Sequence, residues 1–349
     1  MKRAIKSAIV GFGLSGRVFH APFMHHSNQF DIKKIAQRTN DSAKLEYPYV
    51  ESVNSLQEIL DDETIELIVV ATPNGTHFEM ANRILKAGKH LVIEKPFAVS
   101  VEETRELISL AEKNHLNLFV YHNRRWDGDF LTVQKLIERN LLGKVVEYEA
   151  HYNRFKPELN PKLWKEIEGP GSGILYDLGT HIIDQAVCLF GKPNSVTAHL
   201  FKQRKKTKID DAFDVLLEYS SLKVKLKSTL LAKEAGPRYI IHGRNGSFVK
   251  SGIDPQEDDM VAGISPLSEN WGLDKKNNWG VLNTCLNGLH FQGRVETIRG
   301  NYWGFYENVY TVMRESGSIA IPPTSAQITT EIIESAIESN QAGAKIMLD

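Results

Sequence analysis

Through the first third of the chain, short apolar runs alternate with segments of helical spacing. Residues 7–10, 32–36, 67–71, 90–93 and 118–121 are runs of mostly apolar residues without a polar partner at every second position. Strands buried on both faces read this way. Between two of them, residues 76–87 place apolar side chains at helical spacing, and Gly88 follows where a helix stop belongs. Strand–helix alternation of this kind predicts an α/β fold with a doubly wound parallel sheet.

The rhythm changes near Asp127. A helical pattern comes first, then residues 144–155 alternate as one long strand, and a helix is expected around 174–190. Residues 195–201, 212–219, 224–231, 239–242 and 247–250 read as strands, the last two joined across Arg244-Asn245-Gly246. The second part is therefore expected to be an α+β domain with an antiparallel sheet. Residues 254–300, rich in Gly, Asn and Asp and weakly periodic, read as surface loops. No internal repeat or low-complexity tract stands out.

Composition narrows the partners. A chain of 349 residues, 42% hydrophobic, suits two domains of ordinary size. Its 42 basic and 43 acidic residues nearly cancel, which gives no electrostatic reason to expect nucleic acid or an anionic membrane. Small molecules are the expected partners. Cys188 and Cys285 lack CxxC spacing, so neither a disulfide framework nor a zinc site is suggested. The apolar part of MKRAIKSAIVGFG breaks at glycines, unlike a signal peptide, and no segment reaches transmembrane length. A reducing cytoplasm is the expected setting.

Directly after the first strand stand Gly11-Phe12-Gly13-Leu14-Ser15-Gly16. Such a turn lets a pyrophosphate approach the backbone at the start of a helix, although an ordinary glycine turn has the same letters. An NAD site usually carries Asp or Glu about 20 residues further on, to hold the ribose hydroxyls. Here Gln37-Arg38-Thr39 takes that place. A guanidinium at Arg38 can pair with a 2′-phosphate, which favours NADP over NAD; a solvated loop arginine is the alternative.

Lys95, in Glu94-Lys95-Pro96, emerges at the carboxyl edge of the sheet, where open α/β folds bind ligands. An ammonium there can favour a developing alkoxide; a solvated surface lysine is the plainer reading. In the second part, Asp177 and His181 are spaced i, i+4 on the expected helix and share a face, with Asp184 three residues further on. A histidine can take a hydroxyl proton as hydride leaves carbon, while a neighbouring carboxylate orients it. The alternatives are a helix-surface ion pair or a metal site, and hydride chemistry needs no metal.

The segments GFGLSGRVFHAPF, ATPNGTHFEMA, AGKHLVIEKPF, VYHNRRWDGDFLT and LYDLGTHIIDQ, in this order, resemble the Gfo/Idh/MocA family of oxidoreductases. HNRRWD, SGILYDLGTHIIDQ and PRYIIHGRNGSFVKSGIDPQED are most similar to its NADP-dependent scyllo-inositol dehydrogenases. The resemblance implies an NAD(P)-binding Rossmann domain over residues 1–122 and an α+β domain over 123–349 that binds substrate and whose large open, mainly antiparallel sheet forms the contact of a homodimer or homotetramer. It implies hydride transfer between NADP(H) and a secondary alcohol of a sugar or cyclic polyol, scyllo-inositol foremost. Lys95, Asp177 and His181 carry over as the catalytic and substrate-binding set, with His181 as general base. Gly11, Phe12, Gly13, Leu14, Gly16, Arg38, Thr72, Asn74, His77, Glu94, Lys95 and Asn123 carry over as cofactor contacts, and Asn153, leading into Arg154-Phe155, as a substrate contact. Trp164 is a candidate wall of the site or a filler of the core. Gln37 departs from the aspartate of NAD-dependent inositol dehydrogenases. Relatives also include glycosidases that work through a transient oxidation on retained NAD, and nucleotide-sensing regulators. Arg38 weighs against the first and the Lys95, Asp177 and His181 set against the second.

Overall fold

The computed structural model describes residues 3–38, 41–161 and 166–348, so Thr39 and Trp164 lie outside the described residues. The chain forms two compact units, the first comprising Met1–Asn123, Glu257–Trp271 and Tyr302–Gln327, the second the remainder. The first unit closes one residue beyond the expected boundary at 122 and takes back two later segments that a single cut leaves out.

Six parallel strands make the sheet of the first unit: β1 (Ile5–Val10), β2 (Phe30–Ala36), β3 (Glu51–Val53), β4 (Leu67–Val70), β5 (His90–Glu94) and β6 (Leu118–Tyr121), in the order β3-β2-β1-β4-β5-β6. The order reverses between β1 and β4, and such a switch point opens a crevice at the carboxyl ends of the strands. β4 and β6 are buried throughout, which is why they read as unbroken apolar runs. Helices α1 (Ala21–His26), α2 (Ser42–Glu46), α3 (Leu56–Leu60), α4 (His77–Lys86) and α5 (Val101–Lys113) connect them. Ile59, Ala81, Ile84, Leu85, Leu107 and Ala111 from α3, α4 and α5 join the core. Gly88 ends α4 at φ 73°, as a helix stop should.

The second unit contains α6 (Gly128–Glu138), β7 (Val145–His151), α7 (Thr180–Phe190), β8 (Ser195–Phe201), β9 (Ala212–Glu218), β10 (Lys223–Thr229), β11 (Pro237–Gly243) and β12 (Gly246–Ser251). After α8 (Gln256–Val261) follow β13 (Gly280–Leu286), β14 (Leu289–Val295), α9 (Trp303–Glu315), α10 (Pro323–Ala342) and β15 (Ile346–Met347); α8 from Glu257, all of α9 and α10 as far as Gln327 belong to the first unit. The nine-stranded sheet runs β14-β13-β12-β11-β7-β10-β9-β8-β15 and is antiparallel except where β7 and β10 pair in parallel. Val224 and Leu226 of β10 turn into the core, whereas Lys225 faces outward and bridges Glu147 at 2.6 Å and Glu149 at 2.7 Å.

Two sequence expectations change. Residues 254–300 are not only loops: β13 and β14 form a hairpin across Asn287 (φ 50°) and Gly288 (φ 81°), extending the sheet. Its apolar signal is weak because β14 is almost wholly exposed, so no buried face imposes alternation on it. The long strand expected to Phe155 leaves the regular ladder after His151 and continues irregularly to a bridge between Phe155 and Leu231. Among the described residues, no helix is long and apolar enough to cross a membrane.

Candidate active site

The glycine turn follows β1 and faces the end of β4. Gly11 sits at φ 96°, and a Cβ there would run into the carbonyl of Ala71; a Cβ on Gly16 would run into the carbonyl of Gly11. The chain's own backbone therefore requires both. Gly13 differs, because nothing lies within 4 Å of where its Cβ would be. That open ground over a backbone turn is the cradle a pyrophosphate requires. Phe12 packs edge-on against Tyr47 at 6.1 Å, while Leu14 is exposed. Beyond the turn the backbone makes a π-helical stretch, Ser15–His20, before α1 begins. Such stretches are rare and concentrate at functional positions. This one ends with His20 fully buried.

At the end of β2, Gln37 is turned inward. Its carboxamide oxygen accepts from Ser42 at 3.1 Å and from the Ala43 amide at 3.3 Å, and its nitrogen donates to Ser52 at 3.0 Å. An amide thus stands where a carboxylate would mark an NAD site, and the next residue, Arg38, is exposed. After β4, Thr72 and Thr76 share a hydroxyl contact of 2.8 Å, with Asn74 half-buried between them. His77, an expected cofactor contact, has its imidazole buried between two carbonyls, that of Pro96 at 2.8 Å from Nδ1 and that of Thr72 at 2.9 Å from Nε2. Burial pushes its pKa below the ordinary histidine value, against the pull of those carbonyls. It ties the loop after β4 to the loop after β5.

Glu94 ends β5, and the following Lys95–Pro96 peptide is cis. One Glu94 oxygen accepts from Ser15 and from His20 Nε2, at 3.1 Å, while the other takes the Lys95 amide at 2.9 Å. Burial opposes the charge on Glu94. The hydrogen bond from His20, the Ser15 hydroxyl and the Lys95 charge outweigh burial and hold the carboxyl below its usual range. Lys95 is half-buried at the strand end, and Asn123 is buried just after β6.

In the second unit, a π-helical turn, Leu175–Gly179, runs into α7 and carries Asp177, which is exposed. His181, in the first turn of α7, is 5% exposed. Asp184 grips the Arg125 guanidinium through two bonds of 2.8 and 2.7 Å in a nearly buried pair. Gln185 beside it donates to the Arg124 carbonyl and accepts from Arg238 and Tyr239, locking α7 to β11. Asn153 donates to the Ala235 carbonyl at 2.9 Å, and Arg154 lies over the Tyr152 ring at 5.1 Å. Asp184→Asn leaves a buried guanidinium facing a neutral amide, and should cost about 3 kcal/mol of stability, read as a lowered Tm.

The structure thus gathers Ser15, Gly16 and Glu94 at one strand edge and Asp177 and His181 on one helix. Sequence reasoning passed over Ser15, His20, Tyr306, Arg125 and Gln185 as site residues. Arg125 and Asp184 lie 59 positions apart, and only the fold pairs them.

Residues 5–122 match the profile of the oxidoreductase family's NAD-binding Rossmann fold, and residues 134–348 that of its C-terminal alpha/beta domain. Scyllo-inositol 2-dehydrogenase (NADP(+)) IolW of Bacillus subtilis is 39% identical over 99% of this chain and 96% of its own. The uncharacterized oxidoreductase YdgJ of Escherichia coli is 38% identical over the full length of both. The solved structure of the oxidoreductase yvaA from Bacillus subtilis superimposes with a TM-score of 0.96 at 39% identity, covering all of both chains.

Proposed function

This chain belongs to the Gfo/Idh/MocA family of oxidoreductases, and we propose that it moves a hydride between NADP(H) and one secondary alcohol of a cyclic polyol or sugar, scyllo-inositol and scyllo-inosose being the first pair to test. It is an NAD(P)-dependent dehydrogenase acting on a small molecule. The arrangement that carries the reading lies within the first unit: Glu94 joins the glycine turn, through Ser15, to the strand end that bears Lys95. The NADP(+) dependence and inositol substrate in the name of the full-length relative support the finer choice.

The residues fit a nicotinamide dinucleotide. The turn at Gly11, Phe12, Gly13, Leu14 and Gly16 would hold the pyrophosphate, Thr72 and Asn74 would flank it after β4, and Arg38 would meet the 2′-phosphate. Bound there, the nicotinamide supplies the hydride acceptor or donor. Lys95 holds the substrate oxygen and favours its negative charge as the C–H bond breaks. His181 takes the hydroxyl proton during oxidation and returns it during reduction, with Asp177 orienting a substrate hydroxyl or the imidazole. Asn153 would bind a further hydroxyl. His77 acts through the two loops it joins. Assembly with a second copy belongs to the same reading, supported by the exposed Val249 and Val281, which stand opposite one another in the sheet.

Initial rates at the nicotinamide absorbance band, with NADP and NAD in parallel against scyllo-inositol, myo-inositol and glucose, test the proposal. NADP-dependent oxidation of one inositol supports it, and release of sugar from a glycoside without net nicotinamide change overturns it. Arg38→Ala should weaken NADPH binding about tenfold or more and NADH binding less than about twofold, since a charged contact to phosphate is worth about 1.5–3 kcal/mol. An unchanged preference would remove that role from Arg38.

A further inference from the structure

We propose that His20, held from behind by Tyr306, is a positioning residue for the reaction: it fixes the Glu94 carboxylate, and through it the start of the Lys95 loop and the glycine turn. The inference rests on the assignment of Lys95 to the reacting oxygen.

The geometry allows one assignment of protons in the neutral ring. Glu94, as a carboxylate, can only accept, so His20 Nε2 donates to it across 3.1 Å. His20 Nδ1 then accepts the Tyr306 hydroxyl proton across 2.6 Å. Every polar atom in the chain Tyr306–His20–Glu94 is used. The imidazole is fully buried, lies 4.2 Å from the Tyr121 ring, and Tyr306 is 1% exposed, so neither can turn to water for another partner. A histidine oriented by one group so that it can orient another is the logic by which an outer residue sets an inner one. Tyr306 comes from α9, 286 positions along the chain, and α1 with α9 packs rings around it: Phe23 at 6.2 Å and Phe305 at 5.4 Å.

Other groups face Glu94 as well. Ser15 lies on the π-helical stretch, Lys95 follows on its own strand, Tyr121 pairs with it in register on β6, and His77 of α4 and Tyr306 of α9 interact with its charge. Of these, His20 and Ser15 bind the carboxylate directly by side chain. Without His20, burial is opposed only by Ser15, the Lys95 amide and the Lys95 charge, so the Glu94 carboxyl should titrate at higher pH.

Three variants and one control decide it, in the full-length protein. His20→Leu should lower kcat about ten- to a hundredfold with polyol KM changed less than about threefold. His20→Gln keeps an N–H donor toward Glu94 and should recover kcat to within about fivefold of wild type, which a role in packing alone would not reproduce. Tyr306→Phe removes one oxygen from an aromatic cluster and should lower kcat about threefold or more. Independently of activity, a 13C titration of the Glu94 carboxyl in protein without cofactor should show its midpoint rise in His20→Leu and not in His20→Gln. Equal loss in His20→Leu and His20→Gln, an unmoved Glu94 midpoint, or unchanged kcat in Tyr306→Phe overturns the proposal; the Tyr306 variant decides alone if the His20 variants do not fold. Lys95→Ala separates the two claims: an active Lys95→Ala enzyme removes the assignment of Lys95, whereas an inactive one beside fully active His20 and Tyr306 variants removes only the inference about His20.

Discussion

Lys95→Ala is expected to lower kcat by about two to three orders of magnitude, the loss typical when one preorganised donor is removed from a developing oxyanion. NADPH binding, read by fluorescence titration, should stay within about threefold, because the lost contact gains its strength in the transition state and not in the cofactor complex. The local structure supports that separation. The Glu94 carboxylate is held by Ser15, by His20 and by the Lys95 backbone amide, none of which involves the lysine side chain. Truncation at Lys95 therefore leaves the strand end in place. His181→Ala should cost about 10²–10⁴-fold, the usual range for loss of a general base, again with NADPH affinity preserved. It differs in one respect: His181 is 5% exposed, so its truncation also opens space in α7 and should lower Tm by more than truncation of the half-buried Lys95 does. Equal losses of turnover and of NADPH affinity in either variant would move that residue from chemistry to cofactor binding.

Much of this was legible in the letters, for reasons particular residues make clear. Strands such as β4 and β6 are buried on both faces and so carry unbroken apolar runs that name themselves. β8 was placed without error because its inner positions, Val196 and Ala198, meet the core and its outer ones do not. The hairpin of β13 and β14 escaped because burial, the source of the pattern, is missing from β14; Asn287-Gly288 was the one local signal for it. Helices α9 and α10 carried no motif to mark them.

The site divides in the same way. Gly11, Glu94, Lys95 and His181 belong to contiguous motifs and could be read directly. Their supports could not, since Tyr306 reaches His20 from the far end of the chain and Arg238 reaches Gln185 across 53 positions. Asp184 lies three residues beyond His181 on the same helix, and that one-dimensional spacing says nothing of Arg125, which binds both its oxygens. His77 shows a further limit: its motif suggests contact with cofactor and says nothing of the two backbone carbonyls that face its buried imidazole.

The glycine turn offers the other large effect. Gly13→Val should abolish measurable NADPH binding, a loss of about a hundredfold or more, while leaving Tm within about 2 °C of wild type. The asymmetry comes from what each glycine faces. Around Gly13 the protein places nothing but its chain neighbours within 4 Å of a Cβ, so an added side chain starts into open space, where a pyrophosphate would lie. Gly16→Val sets the opposite case, because its Cβ would collide with the Gly11 carbonyl, which is backbone and cannot swing aside. That variant should lose stability by several kcal/mol and lose binding only as a consequence, about 3 kcal/mol being the scale of an overpacked contact of this kind. Gly11 adds strain to collision, since φ 96° is a conformation that side chains disfavour. If Gly13→Val unfolds with Gly16→Val, the turn is shaped by the chain's own packing; if Gly13→Val is stable and still binds NADPH, the dinucleotide does not pass over Gly13. A stable protein that no longer binds the coenzyme would separate the glycine kept for the ligand from the two kept for the fold.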